Sequence, residues 1–191
     1  MAATVNVEEL NGSGPTATVI TTGRYCTTDS YNPGSDYPCV VPQSGNNYSY
    51  WKHIRIAWTG IGTQISNIRW YTPGNVASTW GLGTGGMLMV GLRDSGDHGC
   101  TSANYQQATG VQGTSGHYIK DATNGHAYYK SQSATPGNAD NYTSASPLTV
   151  DTTVYTANGS SKSVVTQVKL ATDATQGDKS NVTFTFLYDE I

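Results

Sequence analysis

Apolar and polar positions alternate with a period of two through much of this chain. The clearest run is Lys52–Trp58, where Ile54, Ile56 and Trp58 point one way and His53, Arg55 and Ala57 the other. That is the pattern of a strand with one buried face, and it predicts that His53 lies on the exposed surface of its sheet. Gln64–Tyr71 repeats the pattern, setting Ile68 and Trp70 against Asn67, Arg69 and Tyr71. A Gly60-Ile61-Gly62 turn joins the two runs, which predicts a neighbouring antiparallel pair. Lys162–Ala171 lines up Val164, Thr166, Val168 and Leu170, and Asn181–Tyr188 lines up Val182, Phe184, Phe186 and Tyr188. Ala3–Glu9, Ala17–Thr22, Met87–Leu92 and Leu148–Tyr155 read as further strands. Tyr105, His117–Lys120 and Ala127–Lys130 lie in a region of weaker pattern and read as short ones.

Polar stretches rich in Gly, Pro, Ser and Asn separate these runs, the longest being Gly23–Ser49, Arg93–Ser102 and Ser131–Ser146. No segment carries a helical period. The expected fold is therefore all-β: a single-domain β-sandwich over residues 1–191, jelly-roll-like, with about eight to ten strands and long polar loops. Residues 1–9 read as an N-terminal arm or a strand exchanged with a neighbour.

Composition narrows the function classes. At 191 residues the chain suits one domain. Charged residues make up 12%, about half the usual ~25%, so the surface is built from Thr, Ser, Asn, Gly and Tyr. Net charge is −3 and no Lys/Arg cluster occurs, which argues against a nucleic-acid partner. No apolar run approaches the ~20 residues that span a bilayer, so no membrane partner is expected. The first residues lack the basic and apolar regions of a signal peptide.

Candidate chemistry is sparse. The three glutamates are Glu8, Glu9 and Glu190, at the two ends of the chain, and most aspartates sit in turns. The histidines His53, His98, His117 and His126 show no metal-ligand or catalytic spacing. Asp94 and Asp97 flank Gly96 in a tight polar loop, the nearest approach to a calcium-type site, but without the spacing of one. The expectation is a protein that is not an enzyme, with no metal and no cofactor. Cys26 and Cys39 bracket a Pro/Gly/Asp/Tyr segment and either form a disulfide or remain thiols; Cys100 has no obvious partner. Aromatic residues in and beside loops, namely Tyr25, Tyr31, Tyr37, Tyr48, Trp51 and Trp80, are the candidate contact residues. Such rings give rigid contact area to a protein or a glycan at small entropic cost.

The run Lys52–Gly60, followed by Ile65–Tyr71, the segment Gln107–Thr114 and the terminal Thr183–Glu190 together resemble stretches of uncharacterised structural proteins of tailed phages. The resemblance implies an all-β virion component without enzymatic activity and carries over no functional residue. It points to a capsid decoration or cement protein located in the virion. Its partners would be the major capsid protein or tail proteins and further copies of itself, a trimer being the expected order. The alternatives are a carbohydrate- or receptor-binding module of a tail tip and a subunit of an extracellular filament built by strand donation.

Overall fold

The computed structural model describes residues 2–191. In chain order the elements are β1 (Thr4–Asn11), β2 (Thr16–Val19), β3 (Asn47–Tyr48), β4 (Lys52–Thr59), β5 (Ile65–Tyr71), α1 (Val76–Thr79) and β6 (Met87–Val90). They continue with β7 (Gly110–Val111), β8 (Ser115–Gly116), α2 (Ala127–Lys130), β9 (Gly137–Asn138), β10 (Leu148–Asp151), β11 (Gly159–Ser160), β12 (Val164–Leu170) and β13 (Thr185–Glu190). An eight-stranded antiparallel sheet runs β2-β1-β4-β12-β6-β9, with β11 beside β4 and β3 beside β12. A three-stranded sheet, β10-β5-β13, packs across it, and β7 and β8 form a separate hairpin. The fold is all-β and sandwich-like, as the alternation predicts.

One face of the large sheet meets the small sheet. Ile54, Ile56 and Trp58 of β4, Val164, Val168 and Leu170 of β12, and Leu88 and Val90 of β6 close on Ile65, Ile68, Trp70, Leu148 and Val150. Phe184, Phe186 and Tyr188 pack against this cluster from β13 and the segment before it. Each fully buried side chain of this size contributes about 1.5–3 kcal/mol relative to exposure, so this layer dominates stability.

The predicted pairing of Lys52–Trp58 with Gln64–Tyr71 is wrong. β4 lies between β1 and β12 in the large sheet, whereas β5 is the middle strand of the small one. The connection around Gly60 (φ +70) crosses the core instead of turning a hairpin. The two runs share a buried-face period because they face each other across the sandwich. Ala127–Lys130 is also not a strand but one helical turn. Thr4–Asn11 is paired within its own chain: β1 pairs with β4 from Thr4↔Thr59 to Leu10↔His53 and turns back on itself to pair with β2. Met1 lies outside the described residues.

The second face of the large sheet carries His53, Val165 and Gln167, and the segment from Cys100 to Lys130 covers it. Tyr50, Trp51, Cys100, Ala108, Ile119, Tyr129 and Val165 form a separate buried cluster there. Gln167 fastens this layer with its side-chain amide. Its oxygen accepts from the Ile119 N–H (2.9 Å), and its nitrogen donates to the carbonyls of Ser49 (2.8 Å) and His117 (2.7 Å). Gly116 permits the close approach, since a Cβ there would stand 2.2 Å from the Ser49 carbonyl oxygen.

Asp151, fully buried at the end of β10, holds the other edge of this layer. Its carboxylate accepts from the Lys162 N–H (3.0 Å), the Tyr155 hydroxyl (2.7 Å) and the Thr153 N–H (3.0 Å), and the Lys162 ammonium lies 3.3 Å away. Burial alone would raise its pKa, but these donors outweigh it and hold the carboxyl below the usual carboxylate range. A folded-state pKa below the unfolded value of about 3.9 means that Asp151 contributes its stability in full above that pH. The contribution is lost as pH falls through the folded value. Asp151→Asn is expected to cost about 2–4 kcal/mol at pH 7. Denaturant titrations of both proteins should show the gap closing below pH 4; a gap independent of pH would overturn this assignment.

Candidate functional site

The segment from residue 20 to residue 46 has no regular secondary structure, yet it is pinned along its length. The Tyr50 N–H donates to the Cys26 carbonyl (2.8 Å), and Thr27 bonds the Tyr37 carbonyl through both its N–H (2.8 Å) and its hydroxyl (3.0 Å). The Tyr25 hydroxyl meets the Thr166 hydroxyl of β12 at 2.6 Å. Asp29 accepts from the Asn11 side chain (2.9 Å), the Gly12 N–H (2.7 Å) and the Gln107 side chain (2.8 Å), tying the loop to the β1–β2 turn and to the covering layer. The Asn47 side chain donates to the Val40 carbonyl (2.9 Å) at the far end.

Beneath this loop lies a fully buried ion pair. Lys52 Nζ, on β4, donates to Glu9 Oε1 of β1 at 2.5 Å and to the Ser30 carbonyl of the loop at 3.0 Å. Lys52 stands out in its strand because it shares the core face with Ile54 yet is 4% exposed, and its partner Glu9 is 0% exposed. The pair joins strand, neighbouring strand and loop at one point.

So anchored, the loop turns Tyr31, Tyr37 and Val40 outward, at 45%, 41% and 41% exposure. Tyr37 has a φ of +52°, in the left-handed region where a non-glycine residue costs on the order of 1–3 kcal/mol. The two bonds from Thr27 to its carbonyl hold it there. Among the six aromatic residues singled out from the sequence, Tyr31 and Tyr37 are thus presented to solvent.

The other four are scaffold to differing degrees. Trp51 is buried at 2% with its indole N–H on the Gln106 carbonyl (2.9 Å), so it is not a contact residue: it fills the second core. Tyr25 packs on Trp80 (5.7 Å between centroids), and Trp80 packs on Phe184 while donating to the Ser180 carbonyl (2.9 Å). Tyr48 is half-buried and stacks on Tyr118 at 5.2 Å. This pair lines an open hollow of about 260 Å³ with Met87, Met89, Thr135, Pro136 and Lys169.

Cys26 and Cys39 are free thiols in this structure. Burial pushes both up, Cys39 to about 12, and a Cys26 thiolate would disfavour that of Cys39. The two carboxylates of the Asp94/Asp97 loop are engaged within the chain. Asp94 accepts from the N–H groups of Ser133 (3.1 Å) and Ala134 (2.8 Å), while Asp97 pairs with Lys162 and Arg93.

A second constellation went unread in the sequence. His53, expected on an exposed surface, is 2% exposed beneath the covering layer. Its Nε2 lies 3.1 Å from Nε2 of His126, the residue that caps α2 by accepting from the N–H groups of Tyr128 and Tyr129 at its Nδ1. Cys100 joins them, and the ligand atoms of all three lie within 4.8 Å of one another. Desolvation lowers both imidazoles, His126 to about 4, so both rings are neutral at pH 7. Residues 53, 100 and 126 come from three separate segments, so no local spacing announces them.

Comparison with models of known families, with curated proteins and with solved structures returned no match to this chain. No helix among the described residues is long and apolar enough to cross a membrane.

The Glu9–Lys52 pair yields a test of how the loop is held. Removing one partner leaves the other charge buried and unpaired, a loss of about 3–5 kcal/mol. Lys52→Met is therefore expected to lose that much stability in equilibrium denaturation, and adding Glu9→Gln should recover most of it. A double variant no more stable than Lys52→Met would show that the pair is not the cause.

Proposed function

We propose that this protein is a non-enzymatic structural component of a phage virion, a decoration or cement protein that clamps neighbouring capsid subunits. The observation that carries the reading is the rigidly anchored 20–46 loop, which turns Tyr31, Tyr37 and Val40 to solvent from an irregular backbone fixed at both ends and in its middle. Exposed aromatic groups on a preorganised loop bind a surface without the entropic cost of ordering it. The low surface charge suits adhesion through many neutral contacts more than electrostatic capture. A protein that binds the assembled shell and not its free subunits stabilises the shell by mass action. The resemblance of the β4, β5 and β13 stretches to phage structural proteins supports the same reading.

A second reading, glycan recognition at a tail or surface tip, draws on the Tyr48–Tyr118 stack. A sugar ring can lie against those faces in the hollow beside Lys169.

Quantitative mass spectrometry of purified particles tests the placement: hundreds of copies in simple ratio to the capsid protein are expected, and absence from particles overturns the virion reading. Replacing both Tyr31 and Tyr37 by Ala should weaken binding to shells at least tenfold, equivalent to about 1.4 kcal/mol. Melting should stay within about 4 °C of wild type, the shift expected for 1 kcal/mol in a chain of this size. Unchanged shell binding would remove the loop from the interface. Loss of glycan binding on Tyr118→Ala, with shell binding absent throughout, would favour the second reading.

A further inference from the structure

His53, Cys100 and His126 are 2%, 1% and 0% exposed and converge from β4, from the bridge of Cys100 to Ser163, and from the cap of α2. Among the described residues they are the group of histidine, cysteine and carboxylate side chains whose ligand atoms meet in this way. Two imidazoles facing each other at 3.1 Å with a thiol beside them set this point apart from the apolar cluster around it.

The surroundings suit metal ligation. The Gln106 carbonyl is the backbone hydrogen-bond partner of His53 and also accepts from the Trp51 indole N–H at 2.9 Å. His53 turns Nε2 to the cluster, and a ligating histidine commonly has a carbonyl or carboxylate near its other ring nitrogen. Two nitrogens each about 2.0–2.1 Å from one ion stand roughly 3.3–3.6 Å apart. The observed 3.1 Å between the imidazoles needs only a few tenths of an ångström of widening. Cys100 Sγ now donates to the Asn104 carbonyl at 3.1 Å, one turn from the exposed Ser102 and Ala103.

Charge selects the ion. The converging group contains no carboxylate. Two neutral imidazoles and one thiolate leave a bound dication with a net positive charge in a desolvated pocket, where Arg93 already adds a positive field at Cys100. A monocation leaves none, and burying an uncompensated charge is costly. Thiolate and imidazole donors favour soft ions such as Cu(I).

We propose that His53, Cys100 and His126 form a three-coordinate site for a soft monovalent d10 ion, Cu(I), through two Nε2 atoms and Sγ. Binding exchanges one proton for one ion. The Cys100 S–H bond breaks and its proton leaves to solvent as the S–Cu bond forms. The His126 proton moves from Nε2 to Nδ1, which then gives up the bonds it accepts from the Tyr128 N–H (3.2 Å) and the Tyr129 N–H (3.5 Å), so loading the site uncaps the single turn of α2. No electron is transferred. The site is independent of the virion role.

The experiment is an anaerobic titration of the reduced full chain with Cu(I) in competition with a chromophoric chelator. It is done in a Cys26→Ser/Cys39→Ser background, so that the other two thiols contribute nothing. One equivalent is expected to bind, and Cys100→Ser should lower the affinity by more than the ~10²-fold lost when a supporting residue of a metal site is changed. X-ray absorption of the loaded protein with Cys100 and both histidines intact should show one sulfur and two nitrogen neighbours, a readout that does not depend on Cys100→Ser folding. No binding, binding unchanged by Cys100→Ser, or a coordination shell without sulfur would each overturn the site. Tight Zn(II) binding with none of Cu(I) would overturn the monovalent assignment.

Discussion

The large sheet must bury both of its faces, and most of the architecture answers to that requirement. β4 and β12 are covered on one side by the small sheet and on the other by the 100–130 segment, so almost every residue from Lys52 to Trp58 and from Val164 to Leu170 is buried or nearly so. A sheet wetted on one side would need only the sandwich partner. Here the second face is closed by a layer with almost no regular structure, whose main-chain polar groups cannot satisfy one another as they do in a strand or helix.

Irregular segments elsewhere in the chain meet the same shortfall with side chains, aspartate above all. Asp140 caps the start of α1 through the N–H groups of Val76 (2.7 Å) and Ala77 (3.1 Å). Asp173 takes the N–H (2.8 Å) and hydroxyl (2.7 Å) of Thr84, Asp94 spans to Ser133 and Ala134, and Asp29 spans to Gly12. Several of the few acidic groups in this chain thus act as staples between loops distant in sequence. Such charge-assisted bonds are stronger than neutral ones, which helps irregular segments hold a fixed shape.

The period-two runs were legible because alternation reports directly on which face is buried: Ile54, Ile56, Trp58, Val164, Val168 and Phe186 all lie where the pattern put them. The partners of those strands were not. β4 and β5 are close in sequence and alike in pattern, but alternation carries no information about which sheet a strand joins. His53 was misread for a related reason: a polar residue opposite an apolar face looks exposed unless a covering layer is known. That layer owes its shape to Gly116, Gln167 and Asp151 acting over long sequence distances. The convergence of His53, Cys100 and His126 depends on it and was invisible for the same reason.

The Ala3 N–H donates to the Glu190 carboxylate at 2.6 Å, and Ile191 exchanges main-chain bonds with Thr63 and Gln64. The described chain therefore begins and ends at one pole of the molecule, beside the crossing between the two sheets. Its path is nearly a closed ring. A short bridge across that pole, with a new opening cut in an exposed turn such as residues 175–180, would reorder the sequence while leaving every strand pairing in place. Any peptide appended to either end would emerge from that same pole.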